Sequence, residues 1–78
     1  PQTTISFILP ESEPLTLCIY NLKGQKINEL FSGILNAGNH NFVWNGTDFS
    51  GRVVSSGIYF ARIENGKQMR THKMMLMK

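Results

Sequence analysis

Apolar residues recur at alternate positions in short runs, each closed by a cluster of Gly, Asn, Ser or Pro, at intervals of roughly ten residues. Thr3 to Leu9 places Ile5, Phe7 and Leu9 on one face and Thr4, Ser6 and Ile8 on the other, until Pro10 withdraws a backbone donor and ends the pairing. A loop is expected over Pro10 to Pro14. Leu15, Leu17 and Ile19 then form the inward face of a second strand, with Thr16, Cys18 and Tyr20 opposite, and Asn21-Leu22-Lys23-Gly24 reads as a turn. Gln25 to Phe31 carries Ile27, Leu30 and Phe31 in poor alternation, the pattern of a bulged strand or a half-turn of helix, and is read as strand. After a loop expected over Ser32 to Gly38, His40, Phe42 and Trp44 share a face, with Trp44 as the core anchor. Asn45 to Gly57 has only Phe49, Val53 and Val54 as apolar residues and predicts a long irregular connection.

Gly57 to Ile63 is the strongest strand, Asn65-Gly66 predicts a two-residue hairpin turn, and Lys67 to Met77 returns. Such a turn sets Ile63 opposite Gln68, Ala61 opposite Arg70 and Tyr59 opposite His72. Both faces of this hairpin are mixed, so the pattern leaves open which one is buried. No run of ten or more residues has the helical period and no internal repeat is present. The expected fold class is all-β, a small antiparallel sandwich.

Composition narrows what such a fold does. The chain has 78 residues, 41% apolar and 17% charged, which fits one globular domain spanning residues 1–78. A chain of this size buries roughly 60 to 65% of its unfolded surface, enough for one thin core and too little for a cleft between lobes, so a stand-alone enzyme is not expected. The one cysteine, Cys18, cannot form an internal disulfide. No apolar run approaches membrane-spanning length, and no charged start is followed by an apolar stretch. Because the chain starts at Pro1 rather than Met, it is expected to be a fragment or a processed piece of a larger protein.

The net charge of +3 is unevenly placed: Arg62, Lys67, Arg70, Lys73 and Lys78 face Glu64 alone in the last 17 residues, while the rest of the chain is slightly acidic. A nucleic-acid surface would interleave basic residues with exposed aromatics, and here the aromatics lie mostly upstream, so no nucleic-acid partner is expected. Lysines on a terminal strand more often guard an edge against unwanted pairing. Catalytic candidates do not converge: His40 and His72 fall in strands, whereas Glu11, Glu13, Glu29, Asp48 and Glu64 fall mostly in turns. Cys18 in mid-strand reads as a small apolar filler rather than a nucleophile. Asp48-Phe49-Ser50-Gly51 offers one carboxylate, too few oxygens for calcium, and Met69, Met74, Met75 and Met77 read as strand filling rather than a soft-metal site. No catalytic residue, cofactor or metal is therefore expected. Asn45-Gly46-Thr47 matches a glycosylation acceptor and also reads as an Asx turn. Tyr20, Phe31, Tyr59 and Phe60 are a possible sugar-stacking set, with packing between two sheets as the commoner use of such residues.

The run Pro10-Glu11-Ser12-Glu13-Pro14-Leu15-Thr16-Leu17-Cys18-Ile19-Tyr20-Asn21-Leu22-Lys23-Gly24-Gln25 is followed by Ala37-Gly38-Asn39-His40, Trp44-Asn45-Gly46, Asp48, Gly51, Ser56-Gly57-Ile58-Tyr59-Phe60 and a terminal Lys73-Met74-Met75-Leu76-Met77-Lys78. In order and spacing this resembles the type A C-terminal sorting domain of proteins exported by the type IX secretion system, which is similar to the Ig-like domain of flagellar hook-capping proteins. Pro1 to Phe7 resembles the tail of the family's Asn-Pro-rich leading segment. Cys18 departs from the family, where a polar or charged residue is more usual. The resemblance implies an Ig-like sandwich of about seven strands, attached behind a secreted cargo of a Bacteroidota-type bacterium. It further implies recognition by an outer-membrane translocon, cutting and anchoring by a sortase-like protease, and passage through the periplasm to the cell surface or medium. Gly57 and Tyr59 match the family's Gly-x-Tyr element, and Gly66 and Lys73 its later Gly and Lys. These four are the candidate translocon-recognition residues, with Lys73 the hardest to explain by packing. The alternatives are a structural Ig-like module (spacer, hook-cap-like or filament-forming subunit, with self-association through edge strands) and a carbohydrate-binding module.

Overall fold

The computed structural model describes residues 2–77. Among them the fold is all-β, with six strands: β1 (Thr3–Leu9), β2 (Glu13–Asn21), β3 (Lys26–Leu35), β4 (Gly38–Trp44), β5 (Gly57–Glu64) and β6 (Met69–Leu76). They form two antiparallel sheets, one of β1 and β4, the other in the order β3-β2-β5-β6. The period-two pattern decides how the sheets face each other. Ile5, Phe7 and Leu9 of β1, Leu15, Leu17 and Ile19 of β2, Trp44 of β4, and Tyr59, Ala61 and Ile63 of β5 are buried in one core. Leu17 and Ile19 are fully enclosed, while Phe42 and Phe31 pack at the margin with ring centroids 5.6 Å apart.

Three differences from expectation concern β2, β3 and the last hairpin. β2 starts at Glu13 and β3 runs on to Leu35, because Glu13 to Thr16 pair with Ser32 to Leu35. The loop expected over Ser32 to Gly38 thus shrinks to residues 36–37. Pro14 is tolerated inside β2 because β5 pairs with β2 only from Thr16 onward, so no bond to β5 is missed. The poor alternation upstream of Phe31 corresponds to two register shifts, between Leu17 and Cys18 and between Ile19 and Tyr20.

The third correction concerns the last hairpin. Its closing pair is Glu64 with Met69, and Tyr59 faces Met74 rather than His72. The turn is a four-residue loop held by Asn65, whose Oδ1 accepts bonds from the backbone N–H groups of Lys67 (3.0 Å) and Gln68 (2.8 Å). That side-chain cap competes with the tight two-residue turn and moves the register by two residues, which leaves every side chain on its own face. The buried face is now defined: Tyr59, Ala61 and Ile63 of β5 with Met74 and Leu76 of β6.

The expected irregular connection from Asn45 to Gly57 is present, tied by one bridge between Thr47 and Val53. Asp48 organises it: Oδ1 accepts from Ser50 Oγ (2.8 Å), Ser50 N (2.9 Å) and Arg52 N (3.0 Å). The Ser50 hydroxyl first, then the Arg52 and Ser50 amides, hold the Asp48 carboxyl below its ordinary range. No helix among the described residues is long and apolar enough to cross a membrane.

Candidate functional site

The four candidate recognition residues divide into interior and surface. Tyr59 is buried, its ring meeting Trp44 edge-on at 5.0 Å and its hydroxyl donating to the Ser55 carbonyl at 2.6 Å. This is the corner-tyrosine role, in which a buried ring fixes a loop through its hydroxyl. Trp44 is pinned from the other side by its indole N–H, which donates to the Thr47 carbonyl at 2.9 Å. Gly57 opens β5 with φ +153°, and Gly66 sits in the hairpin loop with φ +88°, both regions that a Cβ disfavours. Neither is crowded: an added Cβ would meet nothing within 4 Å, so backbone conformation rather than space selects glycine at both. Lys73 is exposed on β6 opposite Phe60, on the outward face of the four-stranded sheet. The fold therefore separates the four: Tyr59 acts within the core, Gly57 and Gly66 shape the backbone at opposite ends of β5, and Lys73 presents its charge to solvent.

The outward face around Lys73 carries more than one cation. Tyr20 lies across from Phe60, and Cys18 across from Arg62. The Arg62 guanidinium stacks over the Tyr20 ring at 4.1 Å, a cation–π contact that leaves the buried Arg62 Nε without a hydrogen-bond partner. Cys18 is buried beneath this layer, and burial pushes its thiol pKa up despite the nearby Lys26 ammonium. Its Sγ lies 3.8 Å from Glu29 Oε1, and Glu29 in turn meets Lys26 at 3.4 Å. Ile58 and Met75, paired across β5 and β6, extend the face with apolar surface. Sequence reasoning grouped Tyr20 with Phe60 but missed Arg62 and Lys73 beside them, because β2 and β5 pair residues about 40 positions apart.

The catalytic and metal possibilities gain no geometry. His40 Nε2 is engaged with the Asn36 carbonyl at 2.6 Å, and His72 lies on β6 opposite Ala61. No group of three or more His, Cys, Asp or Glu side chains placed to hold a metal occurs among the described residues. The Asn45 side chain accepts a bond from the Thr47 hydroxyl at 2.6 Å, a side-chain pair rather than the backbone bond of an Asx turn. Of the aromatics weighed as sugar platforms, Tyr59 is interior and Phe31 packs toward Phe42, which leaves Tyr20 and Phe60 on the outside.

Two facing antiparallel sheets, a corner tyrosine and a tryptophan anchor define a small Ig-like sandwich. The chain belongs to the FlgD Ig-like domain family, whose sequence profile matches residues 2–68. Among solved structures it is similar to the crystal structure of FlgD from P. aeruginosa, with 26% sequence identity and a TM-score of 0.75. That likeness covers 96% of this chain and 58% of the FlgD chain, so the chain spans little more than half of its structural relative. No protein of curated function matches it.

Proposed function

We propose that this chain is a non-catalytic Ig-like module of a larger protein, acting through its surface as a spacer or assembly unit outside the cytoplasm. The observation that carries this reading is membership of an Ig-like domain family over residues 2–68. The site geometry agrees with it: Asp48 and His40 are engaged by turn and loop backbone groups, and the outward Tyr20–Arg62–Phe60 face with Lys73 is a surface suited to protein contact.

A second reading, the type IX sorting domain, rests on the sequence resemblance alone, which runs through β6 to the Lys73–Lys78 ending. In that reading the translocon and the sortase-like protease are the partners, the cargo precedes the domain, and Lys73 is the residue they contact.

One experiment separates the two. The domain is placed behind a signal peptide and a soluble reporter in a host with a type IX system, and its parent protein is expressed with and without the domain. An assembly module leaves the reporter in the periplasm, and its deletion abolishes the parent's higher-order assembly without blocking export. Reporter on the surface or in the medium, with the domain-less parent retained in the periplasm, would overturn the assembly reading in favour of sorting.

A further inference from the structure

The two sheets are unequal, two strands against four, and the imbalance leaves one side of the sandwich uncovered. On β6, Arg70, His72, Met74 and Leu76 point toward the opposing sheet, since their partners Ile63, Ala61, Tyr59 and Gly57 line or border the core. Leu76 is buried and Met74 partly so, but Arg70 and His72 are exposed. Core-facing positions are open to solvent because the smaller sheet stops at β1. Phe7 and Ile8 of β1 line a groove of about 620 Å³ together with Arg70 and His72. A crevice of about 60 Å³ continues it from Leu9 and Pro10 to Ile63 and Arg70. β1 therefore flanks the gap above β6, and β4 is its sole strand partner among the described residues.

The four outer strands differ in how they are guarded. β6 carries Arg70 and Lys73, β3 carries Lys26 and Glu29 and is bulged against β2, and β4 has a polar middle of Asn39, His40 and Asn41. β1, from Thr3 to Leu9, has no charge, no proline and no glycine, and its outward Ile8 is 66% exposed. Alternate residues of such a strand turn N–H and C=O groups away from their one partner, a template for a further strand. Charge specifies what fits. The open groove contains the Arg70 guanidinium and two imidazoles, His40 and His72, and no carboxylate, whereas the crevice that continues it holds Glu13, so the acidic segment is matched to the groove beside Arg70 and His72.

We propose that the free edge of β1 and the uncovered inner face of β6 form a strand-acceptor groove for an extended, acidic peptide segment of a partner protein. The segment pairs its backbone with β1 and turns alternate carboxylates toward Arg70 and His72. This rests on the reading of the domain as a contact module, yet its test is a binding measurement that needs neither export nor assembly.

The test uses the 78-residue chain, isotopically labelled, titrated with a nine-residue peptide alternating Glu and Val, and with the same peptide carrying Lys for Glu. The expected result is amide shifts concentrated in β1 and β6 with the Glu peptide, and binding at least tenfold weaker with the Lys peptide. Arg70→Glu, at an exposed position, should keep the melting temperature and reverse the preference between the two peptides. Equal binding of both peptides, shifts centred on β3 or β4, or no shifts at millimolar peptide would overturn the proposal. So would concentration-dependent β1 shifts without peptide, which would make a second copy the occupant. Failure of the assembly reading alone, with the reporter exported, would leave these binding results unchanged.

Discussion

Trp44 and Tyr59 are coupled through ring contact and through the loop carbonyls that each side chain holds, Thr47 and Ser55. Truncating Trp44 removes the largest buried side chain and one of two donors to the Thr47 carbonyl, which Asn28 Nδ2 still holds at 2.8 Å, so Trp44→Ala should destabilise by about 3 to 5 kcal/mol, chiefly through the lost packing, and leave the domain largely unfolded at room temperature. Urea denaturation followed by circular dichroism measures it; a midpoint near that of the parent would place the ring outside the core. Asp48 makes a prediction in pH. Its folded pKa lies below its unfolded one, so the stabilisation is complete above the unfolded carboxylate pKa and is lost as pH falls through the folded value. Melting temperature should therefore drop as pH falls below the ordinary carboxylate range, about 4, and Asp48→Asn should flatten that acid limb while lowering the plateau. An acid limb of unchanged slope in Asp48→Asn would assign the pH dependence to other carboxylates.

Elements divide by the range of the information that sets them. The inward faces of β1 and β2 are legible in the sequence because alternation is local: Ile5, Phe7 and Leu9, then Leu15, Leu17 and Ile19, stand where the period-two pattern puts them. The corner contact of Tyr59 is equally local, since its carbonyl partner is four residues away. Pairing across elements is not. The length of β3 depends on what β2 offers beyond Pro14, and the hairpin register depends on an Asn65 side-chain cap that outweighs the Asn-Gly preference. The uncovered groove beside β1 is least legible, because it follows from how many strands each sheet holds. One element-scale prediction concerns the entrance to β5. With φ at +153°, Gly57→Ala is strained although its Cβ meets nothing, and should cost about 1 to 3 kcal/mol. A thermal melt equal to the parent's would show that the backbone relaxes to negative φ without disturbing the pair Gly57–Leu76.

At the scale of the whole molecule, stability and contact reside in different layers, and Lys73 tests that separation. The core is built from β1, β2, β4, β5 and the end of β6, with no disulfide among the described residues, since Cys18 is free. Lys73 stands outside it, exposed and opposite Phe60. Lys73→Ala should therefore leave unfolding within about 0.5 kcal/mol of the parent, as exposed substitutions usually do. The same variant removes a cation from the face where Arg62 is already committed to Tyr20, so a partner that reads charge there loses its accessible contact. If the outward face is the working surface, Lys73→Ala weakens the parent's assembly, or its export in the sorting reading, while the melt stays put. Unfolding of the variant would make Lys73 structural. An unchanged melt with unchanged assembly and export would move the working surface to the opposite side of the sheet, where Arg70 and His72 flank β1.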